Sequence, residues 1–77
     1  MTSLGELHIE VVDDEIIVSL PGSRYSVTYF KPEHSPGLLA KRICDRDDPH
    51  VAMRVSKFLA AAWKAANDTA RELGWIV

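Results

Sequence analysis

Apolar residues placed symmetrically about Asp13-Asp14 constrain this chain more than anything else in it. Leu7, Ile9 and Val11 precede the two aspartates, and Ile16, Val18 and Leu20 follow them. If the aspartates form the whole turn, Val11 opposes Ile16, Ile9 opposes Val18 and Leu7 opposes Leu20. Every apolar residue on that face then meets an apolar partner. The other face carries His8 opposite Ser19, Glu10 opposite Ile17 and Val12 opposite Glu15. A slip of one residue would turn the whole apolar set to water, so the register is tightly specified. The pattern predicts an antiparallel hairpin with strands near 6–12 and 15–20.

A third strand is expected near 24–31, where Tyr25, Val27 and Tyr29 alternate with Ser26, Thr28 and Phe30. Only an even loop places Tyr25, Val27 and Tyr29 on the face of Ile16, Val18 and Leu20. Pro21-Gly22 suits a type II turn, with glycine where φ must be positive. Such turns splay two-residue hairpins, so a four-residue loop pairing Leu20 with Tyr25 is preferred. Strand two is then central and Phe30 lies on an edge strand.

Beyond Lys31, Pro32, Ser35, Pro36 and Gly37 mark a loop. A short helix is expected near 36–43, capped by Ser35 with Pro36 at its first position, although the same residues also fit an extended crossing segment. Asp45 to His50 reads as a second loop. From about 56 to 73 the period becomes helical. Phe58, Leu59, Ala62, Trp63, Ala66, Ala70 and Leu73 form one stripe, and Lys57, Lys64, Asn67, Asp68, Arg71 and Glu72 lie largely opposite. Gly74 ends this helix, with Trp75 placed to fold back on the last turn. Asp48 before Pro49 offers a rival, earlier start. The alanines let the helix approach a sheet closely. The fold class expected is α+β: a three-stranded antiparallel meander packed on one C-terminal helix.

A chain of 77 residues supports one domain, here 4–77. Domains this small commonly gain stability from disulfides, metals or association. Cys44 is the single cysteine, so it has no partner within the chain. His8, His34, Cys44 and His50 lack the close pairing of a structural metal site. Association remains, and a homodimer is the expectation. The 47% hydrophobic and 26% charged residues fit a folded chain. A formal net charge of −2 supplies no overall field attracting nucleic acid or anionic membrane. The longest apolar run, Phe58 to Trp63, is far too short to cross a bilayer. The first residues carry no basic region ahead of an apolar stretch, and a lone cysteine suits a reducing compartment, so a cytoplasmic location is expected.

Candidate chemistry is sparse. Asp45, Asp47, Asp48 and His50 crowd together, but Arg46 sits among them and neither the glycine nor the closing glutamate of a calcium loop is present, so a solvated loop and helix cap is the better reading. Cys44 with His34 or His50 shows no sign of an activated nucleophile. His8 and Glu10 share a face but lie roughly 7 Å apart along one strand. No GxSxG, P-loop or GxGxxG occurs. Neither catalysis nor a cofactor or metal is expected.

The open sheet face is the candidate partner surface: His8, Glu10, Val12, Ile17, Ser19, Ser26, Thr28 and Phe30. A solvated face is the plainer reading, but Ile17 and Phe30 are what sheet-to-sheet dimerisation would bury. Trp75, Ile76 and Val77 either dock on the chain's own core or add a strand to another subunit.

Two resemblances follow from this order of elements. SLPGSRYSVTYF after IEVVDDEIIV, over residues 7 to 30, loosely resembles the small HicB-like antitoxin domain, which implies a partner toxin and repression of its own operon. The Thr/acidic start of the following helix in that family is absent here. SKFLAAAWKAA is similar to the last helix of double-stranded-RNA-binding domains. The lysine cluster of that family is reduced to Lys57, so no phosphate-binding residue carries over. The leading expectation is therefore a non-enzymatic interaction module that self-associates. The alternative is an antitoxin-like or nucleic-acid-associated domain, which requires Arg24, Lys31, Lys41, Arg42, Arg46, Arg54 and Lys57 to gather on one side.

Overall fold

The register around Asp13-Asp14 is the one the apolar pattern dictates. The computed structural model describes residues 7–77, and in it β1 (His8–Val12) pairs antiparallel with β2 (Glu15–Ser19), Ile9 opposite Val18 and Val11 opposite Ile16. Asp13 adopts a φ of 55°. That positive sign gives the turn a twist matching its strands, and aspartate tolerates it better than most side chains. The expected start of the strand near 6, and residues 4 to 6 of the expected domain, lie outside the described residues.

The next connection is the four-residue loop. β3 (Ser26–Phe30) pairs with β2, Val27 opposite Val18, and the Leu20 N–H donates to the Tyr25 carbonyl at 3.1 Å. Pro21 and Gly22 are the central residues of a type II turn: Gly22 has φ 83°, and the Ser23 N–H donates back to the Leu20 carbonyl at 3.2 Å. Regular strand covers less than the expected 24–31, because Arg24 and Tyr25 close this loop.

Residues 36–43 correct the sequence reading. Leu39–Ile43 forms a fourth strand, β4, in place of the short helix, and the sheet order is β1-β2-β3-β4. β2 and β3 are therefore both internal, and Phe30 is not on an edge. Ser35 caps no helix; its Oγ donates to the Gly37 carbonyl at 3.1 Å and accepts the Gly37 N–H at 3.3 Å, closing a local turn. The β3–β4 register shifts between Thr28 and Tyr29, with Thr28 opposite Arg42 and Tyr29 opposite Ala40. Lys41 is the extra residue of a β-bulge.

The helix α1 (Val55–Leu73) begins one residue before the expected start. Arg54 at its N-cap makes no side-chain cap bond; Asp47 does that work from upstream, its Oδ1 accepting the Val55 N–H at 2.7 Å. A carboxylate there meets the positive end of the helix dipole. Asp48 does not start the helix. At the other end Gly74 has φ 80°, and N–H groups of Gly74 and Trp75 donate to the carbonyls of Arg71 and Ala70, at 3.1 and 2.8 Å. This is the Schellman closure the Gly74-Trp75 pair predicts.

α1 lies over β2 and β3. Phe58, Ala62, Ala66 and Ala70 are wholly buried against Ile16, Val18 and Val27. Phe58 stacks on Tyr25 with ring centroids 5.2 Å apart, and Trp63 tilts against Tyr29 at 5.7 Å. The helix does not reach across β1. Ile9 and Val11 point to the expected face but stay 38% and 43% exposed, and Trp63 and Leu73, expected in the buried stripe, sit at its margins half exposed. A single helix about 10 Å wide covers two strands spaced about 4.8 Å apart, and this sheet has four.

Candidate functional site

The strand registers bring all the candidate residues onto the face turned away from α1, in three rows across the sheet. His8, Ser19 and Ser26 form a polar row. Glu10, Ile17, Thr28 and Arg42 form the middle one, and Val12, Glu15, Phe30 and Leu39 the third. The polar row is at the open end of the first hairpin, and the apolar residues gather at the Asp13-Asp14 end.

Within the third row Val12 and Leu39 are exposed and Phe30 is half-buried. Thr28 is buried, flanked by Ile17 and Arg42 on the neighbouring strands. The bulge places Lys41 beside Arg42, both opposite Thr28, so Lys41 also faces outward. There it forms an ion pair with Glu15 and sits 5.7 Å above the Phe30 ring. An exposed pair of this kind contributes under about 1 kcal/mol, but it fixes the lysine stem over Phe30. Leu39, Lys41 and Arg42 were not legible as members of this face, because their segment reads as helix. Glu15 was legible through its pairing with Val12.

The other candidates do not converge. Asp47 serves the start of α1. Asp48, buried, accepts the Arg24 N–H at 2.8 Å and the His50 N–H at 2.9 Å, tying the β2–β3 loop to the segment before the helix. Tyr25 completes the tie, its hydroxyl accepting the Asp48 N–H at 2.9 Å and donating to the Met53 carbonyl at 2.7 Å. These backbone bonds from His50 and Arg24 hold the Asp48 carboxyl below the ordinary aspartate range, with the His50 ring 3.3 Å away adding to the effect. Asp47 and Asp48 of the acidic loop are thus engaged in bonds that hold the fold. Among the described residues no three His, Cys, Asp or Glu side chains gather as metal ligands. Cys44 is half-buried near Tyr29, whose pKa is raised by burial and then by that thiol. Trp75 and Ile76 pack on the chain's own core. No helix among the described residues is long and apolar enough to cross a membrane.

In comparisons with known protein families, curated proteins and solved structures, the chain matches none.

Proposed function

We propose that this protein is a non-catalytic interaction module whose working form is a homodimer. The observation that carries the reading is the uncovered outer face: Val12, Phe30 and Leu39 lie across three strands with no layer over them among the described residues, next to Ile17. A second copy supplies the same apolar row and the same Glu15 and Lys41, as a two-fold contact requires. The polar networks at Asp48 and Tyr25 are engaged in holding loops together, and no acid, base and nucleophile converge among the described residues.

Light scattering over a concentration series tests this. The expected result is a mass near twice that of the chain at high concentration, falling on dilution. Ile17→Lys should shift the equilibrium toward monomer while far-UV circular dichroism is unchanged. A monomer at every concentration overturns the homodimer, and an unchanged dimer mass in Ile17→Lys removes the outer face as its contact.

A further inference from the structure

The two edges of the sheet are not alike. β4 carries the devices that discourage edge pairing, a bulge at Lys41 followed by Arg42. β1 has none of them: no proline, no lysine and no bulge from His8 to Val12, every residue exposed, and no strand on its outer side among the described residues. Ile9 and Val11 remain partly exposed on the helix side of this strand.

The two-residue turn decides which backbone groups face outward. Val12 and Glu15 flank the turn and form a mutually hydrogen-bonded pair. By alternation, Glu10 and His8 also turn their N–H and C=O toward β2, whereas Ile9 and Val11 turn theirs to the open edge; Leu7, directly ahead of the strand, would join them where pairing extends the strand by one residue.

We infer that the β1 edge is a strand-addition site for a second copy of this chain, paired antiparallel about a two-fold axis at Ile9. In that register Ile9 opposes Ile9 of the second copy and Leu7 opposes Val11, so all the outward backbone groups of Leu7, Ile9 and Val11 are bonded. Their side chains form an apolar seam on the helix side. On the outer side His8 opposes Glu10, a ring N–H donor against a carboxylate, at the closely spaced non-bonded positions where side chains approach best. Shifting the axis to Glu10 sets the two glutamates against each other and leaves Leu7 facing Asp13. Shifting it to Val11 sets Ile9 against Asp13. The apolar match and the polar match select the same register.

This inference rests on the homodimer reading for the identity of the partner; in an assembly of two copies the β1 edge and the outer face are alternative contacts. Residue-resolved hydrogen exchange, run above and below the dissociation midpoint, separates them. Pairing at β1 slows exchange of the Leu7, Ile9 and Val11 amides at high concentration, and Ile9→Lys raises the dissociation constant by about tenfold or more while the fold is kept. Ile9→Cys in a Cys44→Ser background should cross-link under mild oxidation. Val11→Cys in the same background should not, since the two Val11 positions lie about 14 Å apart in this register. A dimer in which the three amides exchange at the monomer rate, or one that withstands Ile9→Lys but not Ile17→Lys, overturns the edge and leaves the homodimer standing. A protein that never dimerises overturns both.

Discussion

Asp48 joins parts of the chain that are distant in sequence, and its chemistry makes that joint sensitive to acid. Its two oxygens accept one backbone N–H each from Arg24 and His50, which favours the ionised form and lowers its pKa in the folded state. A carboxyl whose folded pKa is depressed contributes stability at pH above its unfolded value, about 3.9, and loses it as pH falls through the folded value. Asp48→Asn keeps one acceptor and loses the other. The variant should therefore unfold at lower urea than the parent at pH 7, and the gap should shrink as pH drops below about 4. Urea midpoints of both proteins at pH 7 and pH 3 measure this; a gap of the same size at both would remove the charge argument. None of this was legible in advance. Pattern reading assigns a side chain to a face, and it placed Tyr25 correctly inside, but the partners of a hydroxyl or carboxylate depend on loops whose path the pattern does not fix.

At the scale of elements, the alanines of α1 set the distance between helix and sheet. Ala62, Ala66 and Ala70 are fully buried over β2 and β3, with Phe58 filling the space toward Tyr25. Ala66→Leu adds volume where there is none to spare and gains no helix propensity, so it should destabilise by about 1–3 kcal/mol. Equilibrium urea unfolding reads this directly, and a neutral result would mean that the helix stands off the sheet. The helix and the first three strands were legible because each keeps its own period without interruption. β4 was not, for a local reason. Its bulge makes both Lys41 and Arg42 face outward, between inward Ala40 and Ile43, so the two-residue alternation is broken. Leu39 and Ile43 then fall four residues apart, the spacing of a helix face. The outer surface inherited that error: its members from β1, β2 and β3 were identified except Glu15, and those from β4 were not.

For the whole molecule, the governing mismatch is between one helix and four strands. α1 buries the inner pair well, leaving Ile9 and Val11 half covered at one side and Ile43 exposed at the other. The sequence reading placed the β1 residues beneath the helix with the rest of the apolar face, but one helix is wide enough for two strands. The fourth strand changes the balance and leaves more apolar sheet than a single helix can shield. In a domain near the lower size for an independent core, that uncovered surface makes association worth more than it would be to a larger protein. The proposed homodimer would link folding to association, because only the folded chain presents a β1 edge or an outer face to a second copy. Above the dissociation constant, each tenfold rise in protein concentration should raise the melting temperature by about 3–5 °C. Differential scanning calorimetry across a hundredfold concentration range measures it. Ile9→Lys should flatten the slope if the strand edge joins the copies, and a melting temperature independent of concentration in the parent would separate folding from association altogether.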